Sequence, residues 1–254
     1  MQTITKYGRC VALASSLAAF ALFGAAARGQ NTVKLRAVVR SSAATAPQKP
    51  GNSKTTVGNS EVVVWLKALG GEKTPVGTAS SQGKVQLVQL HKSFAPHILV
   101  VPVGTLVDFP NRDPFFHNVF SLFDGKRFDL GLYEAGATNS VRFDRVGVSF
   151  LFCNIHPEMS AIVVAVDTPY FGVSDRSGNI SIANVPDGRY ELRVWYERSL
   201  PEDLKNLNRS VAISSASRDL GEIAVPENPG FSPAHKNKYG QDYAPPPTPG
   251  YSRP

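Results

Sequence analysis

The sequence has little of what a metal cluster, a disulfide framework or a membrane span would need. Its 254 residues include only two cysteines and five histidines. These counts exclude a large metal cluster and a network of disulfide bonds. Beyond the N-terminus, no apolar run approaches the ~18 residues of a membrane-spanning helix. Phosphate-binding glycine loops and the H-E-x-x-H and G-x-S-x-G signatures of hydrolases are also missing. The few side chains that could bind a soft metal ion are therefore easy to identify in the sequence.

Stretches with helical periodicity are also few. The chain is instead punctuated by 21 glycines and 19 prolines, and 42% of its residues are hydrophobic. Frequent turn residues between short apolar runs are typical of all-β proteins. At about 150 residues per domain, the length predicts one large or two small domains.

The N-terminus has the pattern of a secretory signal. Lys6 and Arg9 precede an apolar stretch at 11–24, and small residues follow at 25–27. A basic start, a short apolar region and a small-residue end predict a signal peptide over residues 1–29. A membrane anchor would need about 20 apolar residues. We therefore expect cleavage, a periplasmic or secreted protein, and no stable membrane insertion afterwards.

Cleavage would remove Cys10 and leave Cys153 as the single thiol of the exported chain. Exported proteins use cysteines mostly in pairs, because their compartment is oxidising. A lone cysteine is therefore a buried inert thiol, an intermolecular bridge or a metal ligand. The number of cysteines alone does not decide between these three roles.

The net charge of +7 is unevenly distributed. Residues 28–60 hold six basic residues and no acidic one, whereas the later regions are close to neutral. A nucleic-acid surface would need a basic face on a folded element. We therefore expect no nucleic-acid partner and interpret residues 30–60 as a basic, partly flexible N-terminal segment with a possible strand at 33–40.

The remaining chain divides into two predicted β domains and a tail. Residues 61–167 contain seven or eight short apolar stretches with turns about every ten residues, which predicts a sandwich or barrel. Residues 168–226 contain fewer strands and an Asp-Gly turn, which predicts a small second sandwich. Residues 227–254 are rich in proline and lack periodicity, so we expect a disordered or extended tail.

Four possible ligands of a soft metal lie in two short stretches. Cys153, His156 and Met159 follow one another at three-residue intervals between two predicted strands, and His117 lies 36 residues earlier. One thiolate, two imidazoles and one thioether are the donors of a blue-copper site. Thiolate and thioether favour Cu(I), while imidazole suits both oxidation states, so such a set limits the rearrangement during electron transfer.

Each of these residues also has a structural interpretation. Cys153 and Met159 could be ordinary core residues, and His117 could be a buried, hydrogen-bonded histidine. Zinc would want a fourth strong donor, which methionine does not supply. A Cys–His nucleophile pair would want the histidine across a pocket instead of on the same loop. We interpret His91 and His97 as structural.

The ligand stretches resemble those of the cupredoxins, and most of all the amicyanin and plastocyanin branch. The spacing of the three loop ligands and Pro157 after His156 carry this resemblance, as do Asn111, Asp113 and the His-Asn pair at 117–118. It implies a Greek-key β-sandwich over residues 61–167 that binds one type 1 copper ion. Asn118 would tie the two ligand loops together, and the implied ligands are His117, Cys153, His156 and Met159.

Two further resemblances concern the whole chain and its second domain. The overall pattern is similar to plastocyanin-like proteins labelled methylamine utilization proteins. Residues 172–195 resemble the carboxypeptidase regulatory-like, or transthyretin-like, β-sandwich. Together these resemblances imply an exported electron carrier, not an enzyme, whose redox partner is a cytochrome or a dehydrogenase. Two alternatives stay open: copper storage or delivery, and a surface binding or adhesion module on a cupredoxin scaffold.

Overall fold

The computed structural model describes residues 30–41, 59–70, 84–122, 125–232 and 234–243. The predicted signal peptide lies outside these ranges. Within them the chain forms seventeen strands and one short helix, which confirms the all-β prediction. No helix in the described ranges has the length and apolar character to cross a membrane.

The elements follow one another in a simple order along the chain. The first twelve strands are β1 (Gln30–Ser41), β2 (Val63–Ala68), β3 (Val85–Gln86), β4 (Val88–Leu90), β5 (Ser93–Ala95), β6 (Ile98–Pro102), β7 (Thr105–Pro110), β8 (His117–Ser121), β9 (Phe128–Tyr133), β10 (Thr138–Phe143), β11 (Gly147–Cys153) and β12 (Ser160–Val166). The remaining elements are β13 (Phe171–Val173), β14 (Asn179–Pro186), β15 (Gly188–Trp195), α1 (Pro201–Leu207), β16 (Arg209–Ile213) and β17 (Asp219–Glu227).

Strands β3–β12 form one unit, which we call the inserted sandwich. Its larger sheet has the order β6-β12-β11-β8-β9, its smaller sheet has the order β10-β7-β3, and β4 and β5 form a hairpin beside them. Between the sheets lies an apolar core that includes Phe109, Phe143 and Leu151. This core also contains Cys153 and Met159, so the candidate ligands sit at one end of a packed interior.

Strands β1, β2 and β13–β17 form a second unit, the terminal sandwich. Its two sheets have the orders β14-β1-β17 and β13-β2-β15-β16. Every second residue at the start of β1 is buried, as its period-2 pattern predicts. Val33 and Leu35 from β1 pack with Leu66 from β2 and Leu192 from β15 in one core. The predicted strand at 33–40 is therefore confirmed.

The domain limits differ from those expected from the sequence. Residues 30–41 were expected in a partly flexible segment and residues 61–68 in the first domain, but both belong to the terminal sandwich. Thus the inserted sandwich lies between β2 and β13 of the other unit. The strand β2 is apolar on both faces, so its composition does not reveal its sheet. Its partner β15 also lies more than a hundred residues further along the chain.

The two sandwiches pack face to face through a third apolar layer. Alternate residues of β12 divide between cores: Val163 faces the inserted core, whereas Ile162 and Val164 join Val63 of β2. Trp65 and Trp195, the two tryptophans of the chain, border this layer. The four main sheets are therefore stacked with three apolar layers between them.

Candidate metal centre

The larger sheet of the inserted sandwich brings three possible ligands together. In the antiparallel pair of β8 and β11, Cys153 lies opposite Val119. His117 is two residues before Val119 and so lies on the same face of the sheet. The turn after β11 returns His156 to this face, and two backbone hydrogen bonds close it, from Met159 to His156 and from Cys153 to Met159.

The three donor atoms form a tight triangle. Cys153 Sγ lies 3.7 Å from His117 Nδ1 and 3.5 Å from His156 Nδ1, and the two nitrogens are 3.1 Å apart. The point equidistant from the three atoms lies about 2.0 Å from each, which is close to the bond lengths of first-row metals with nitrogen and sulfur. The cluster therefore has the dimensions of a metal site.

The orientation of His117 is set by Asp113. His117 Nε2 lies 2.9 Å from Asp113 Oδ2, and both side chains are buried. Because a carboxylate accepts this hydrogen bond, the imidazole proton resides on Nε2 and the lone pair on Nδ1 faces Cys153. A carboxylate behind a histidine in this way raises its basicity as a metal ligand.

Asp113 is in turn held by the backbone of a neighbouring turn. The N–H groups of His91 and Lys92, at φ values of 54° and 52°, donate to its two oxygens at 2.6 and 2.9 Å. Burial alone would raise the pKa of Asp113, but the hydrogen bonds from Lys92, His117 and His91 outweigh it and lower the pKa. The carboxylate therefore stays ionised.

The sulfur of Cys153 is buried but not without polar contacts. Burial raises the pKa of the Cys153 thiol, and the backbone N–H groups of Asn118, Ile155 and His156 oppose this rise by interacting with the sulfur. Amides around a cysteine ligand stabilise the thiolate and tune the redox potential of a bound metal. The backbone thus supplies N–H groups of the kind that stabilise a metal-bound thiolate.

His156 lies at the boundary between the core and solvent. Burial, followed by the electrostatic effect of neighbouring His117, lowers the pKa of His156, so the ring of His156 is neutral at neutral pH. The ring of Phe115 packs against both imidazoles, with centroids 5.3 Å from His117 and 5.5 Å from His156. This aromatic contact fixes both rings and shields the donor triangle on one side.

Met159, the fourth predicted ligand, is fully buried in the same core as Cys153. Its backbone closes the ligand turn through hydrogen bonds to Cys153 and His156. Such a buried position suits a thioether ligand and equally suits a core residue.

Asn118 connects the two ligand stretches through its backbone. Its carbonyl accepts a hydrogen bond from the Asn154 N–H at 3.3 Å. The side chain faces the other way and donates to Asp129 Oδ1 and to the carbonyl of Gly131, both at 2.7 Å. The hydrogen bond between the two stretches thus uses main-chain atoms, while the amide side chain anchors β8 to β9.

Exposed apolar residues flank both histidines of the donor triangle along the chain. Phe116 and Ile155 expose about half of their surface, and Pro157 is also exposed. Phe115, by contrast, is turned inward and packs against both imidazoles.

The structure also places residues at this site that the sequence had not indicated. Residues 234–243, which we call the strap, lie against the ligand turn, whereas the whole of 227–254 was expected to be disordered or extended. Tyr243 donates from its hydroxyl to the Cys153 carbonyl at 2.8 Å, and His235 stacks on Phe152. Burial raises the pKa of Tyr243 to about 12, so the hydroxyl keeps its proton. No periodic pattern marks this segment, because single side chains make its contacts.

No family model and no curated protein matches the chain. Among solved structures, a copper-containing nitrite reductase from Thermus scotoductus is 26% identical over 33% of this chain and 22% of that chain, with a TM-score of 0.32. The present chain thus aligns with only about a fifth of that reductase.

Two smaller proteins align over nearly their whole length. A purple cupredoxin from Nitrosopumilus maritimus is 25% identical over 33% of this chain and 100% of its own, with a TM-score of 0.30. An amicyanin variant is 18% identical over 42% of this chain and 99% of its own, with a TM-score of 0.32. Because TM-scores near 0.3 do not establish a shared fold, the functional conclusion depends on the geometry of the donor triangle.

Proposed function

We propose that this protein is an exported type 1 copper protein that carries single electrons between redox partners. One observation carries the proposal: a thiol and two Nδ1 atoms lie 3.1–3.7 Å from one another at the end of a packed β-sandwich. The ligands would be His117, Cys153, His156 and Met159, and they would hold one copper ion.

The donor chemistry favours copper over zinc. A thiolate with two imidazoles and a weak thioether is the donor set of blue-copper sites, whereas structural zinc prefers four strong donors. Met159 is buried beside Cys153, where its sulfur could serve as the weak donor. Carboxylates lie outside the triangle, since Asp113 is occupied by His117 and by two backbone amides.

Copper bound here would supply a centre that gains and loses one electron. The protein supports this exchange by keeping its donors in place. Asp113 holds the proton on Nε2 of His117, Phe115 packs against both imidazoles, and the core encloses Cys153 and Met159. A site held this firmly changes little between two oxidation states, so electron exchange is fast.

The surface around His156 supports exchange with a partner protein. Its ring is half-buried, and exposed Phe116, Ile155 and Pro157 lie nearby in the ligand stretches. Small apolar patches are suited to transient complexes of redox proteins. The partner would be a cytochrome or a dehydrogenase outside the cytoplasm, in keeping with the signal-like pattern of residues 1–29.

The test is the addition of Cu(II) to the purified mature protein. We expect an intense blue colour and the narrow copper hyperfine splitting of a type 1 site in spin resonance. Cys153→Ser should lose both signals. His91→Asn is a matched control, because His91 is exposed and its positive φ suits asparagine. A colourless wild-type protein would overturn the proposal.

The same preparation separates the two alternative functions. Reversible one-electron cycling with copper retained supports a carrier, whereas rapid loss of copper to chelators upon reduction supports delivery. A binding module that merely uses the scaffold would keep its binding when all four donors are replaced.

A further inference from the structure

The strap contacts three consecutive residues of the ligand strand and turn. His235 stacks on Phe152 with centroids 4.1 Å apart, and the Tyr243 hydroxyl donates to the Cys153 carbonyl at 2.8 Å. The backbone N–H of Lys238 donates to Asn154 Oδ1 at 3.0 Å. The residue that supplies the sulfur is therefore held together with both of its neighbours.

One peptide group is held from both sides as a result. The carbonyl of Cys153 accepts from Tyr243, while the N–H of the next residue, Asn154, donates to the carbonyl of Asn118 at 3.3 Å. Because a peptide unit is planar, two hydrogen bonds at opposite edges fix its rotation. The orientation of this peptide group determines the direction of the backbone after Cys153. It therefore determines the position of His156 in the ligand turn.

A second connection reaches the histidine on the neighbouring strand. Lys238 Nζ lies 2.8 Å from Asp129 Oδ2, and the other oxygen of Asp129 accepts from the side chain of Asn118. Asn118 directly follows His117. The strap therefore braces both stretches that carry ligands.

The strap has a fold of its own that prepares these contacts. Asn237 Oδ1 accepts from the N–H groups of Tyr239 and Gln241, and Gly240 closes the turn at a φ of 76° by donating to the Asn237 carbonyl. A preorganised turn loses less conformational entropy when it binds. The internal hydrogen bonds of the strap therefore favour its attachment to the ligand turn.

We propose that the strap is a positioning element of the copper site, with Tyr243 as its central residue. By holding the peptide after Cys153, it keeps the donor triangle assembled and slows the release of copper. This inference rests on the proposed function, since it concerns how the same site is held.

The decisive variant is Tyr243→Phe, which removes one hydroxyl and keeps the ring that packs against His235. Loss of an outer hydrogen bond at a metal site typically weakens metal binding about 10- to 100-fold. We expect chelators to remove copper about tenfold faster, and the thiolate-to-copper absorption band to shift. Tyr170→Phe is the matched control, because Tyr170 is half-buried in the terminal sandwich and phenylalanine keeps its ring contact with Tyr190.

A second variant ends the chain after residue 233 and so removes the strap. Copper release about 100-fold faster than in the wild type is expected, with a circular dichroism spectrum that still shows a β-protein. Should this variant fail to fold, Tyr243→Phe still decides the question. Unchanged release rates and absorption in both variants would overturn the proposal.

Hydrogen exchange of the metal-free protein separates this proposal from the proposed function. Amides in the ligand turn 153–159 should exchange faster in Tyr243→Phe than in the wild type or in Tyr170→Phe. If the wild type fails to bind copper, the proposed function is wrong, and the exchange data still test the strap. Equal exchange in all three proteins would show that the strap does not hold the turn.

Discussion

His117 and Asp113 form a buried pair in which one ring nitrogen meets a carboxylate at 2.9 Å while the other faces the thiol of Cys153. The two partners are four positions apart along the chain. The carboxylate thus decides which nitrogen of the ring is free for a metal. The metal affinity of the site should depend on this pair more than on any surface charge.

Asp113→Asn tests this dependence. Asparagine keeps the shape but loses the negative charge that favours a proton on His117 Nε2. We expect copper affinity to fall about 10- to 100-fold, measured by competition with a chelator of known affinity. Asp144→Asn is the control, because Asp144 is largely exposed and pairs with Lys126. An equal loss in both variants would assign the effect to overall charge.

Met159→Leu separates a thioether ligand from a core residue. Leucine fills a similar volume, so the free energy of unfolding should change by less than about 1.5 kcal/mol. If the sulfur contacts copper, its removal withdraws a donor, and the reduction potential and the visible spectrum both change. We expect a higher potential, measured by redox titration. An unaltered potential and spectrum would assign Met159 to packing alone.

Ile155→Lys tests the apolar surface near His156. A positive charge on this surface should repel a second copy of the protein and slow electron self-exchange about tenfold or more at low salt, as measured by line broadening in NMR. The visible spectrum should stay the same. Val146→Lys is the control, because Val146 is equally exposed but lies beyond the opposite end of β11, about 20 Å away.

The contact between the sandwiches should respond to pH through His97. The hydrogen bond with Glu197 raises the pKa of His97 against the opposing effect of burial. Because the folded pKa exceeds the unfolded value of about 6.5, the pair stabilises the fold below this pH, and its contribution disappears as pH rises through the folded pKa. We expect about 1 kcal/mol of stability to be lost.

Urea unfolding of the metal-free protein on both sides of this window measures the loss. The stability of His97→Gln should lack this component of the pH dependence, whereas His91→Asn should retain it. A pH profile of His97→Gln that parallels the wild type would rule out the pair as the source.

Ile162→Ala probes the layer between the sandwiches. Ile162 is buried there beside Val63 and Val164, so its truncation should cost about 2–4 kcal/mol. Since Trp65 and Trp195 border the same layer, their fluorescence reports its opening. We expect fluorescence and circular dichroism to change in one coincident transition, as they do when a structure unfolds as one unit. Val146→Ala is the exposed control.

The sequence predicted those parts of the site that depend on local spacing. Cys153, His156 and Met159 lie on one turn, so three-residue intervals were enough to suggest that they share a site. The position of Asp113 behind His117 could be suspected from their closeness. The bonds from His91 and Lys92 to Asp113 could not, because they join segments that lie 21 and 22 residues apart and depend on left-handed backbone.

The fold class was predictable from the sequence, whereas the pairing of the strands was not. Short apolar runs and frequent turns indicated all-β structure, and the alternation in β1 indicated a strand. Strand pairing is non-local, so nothing in Val63–Ala68 revealed that it joins β13 and β15. The strap is unpredictable for a related reason: its contacts come from isolated side chains such as Tyr243 and His235.

The insertion of one sandwich between β2 and β13 has a consequence for biosynthesis. The strands β1 and β2 leave the ribosome first, yet their hydrogen-bonding partners β13, β14, β15 and β17 are made last. Until these strands emerge, the apolar faces and open edges of β1 and β2 are unprotected, a state that invites aggregation. Productive folding of the terminal sandwich must therefore await the synthesis of β17, the partner that completes the sheet of β1.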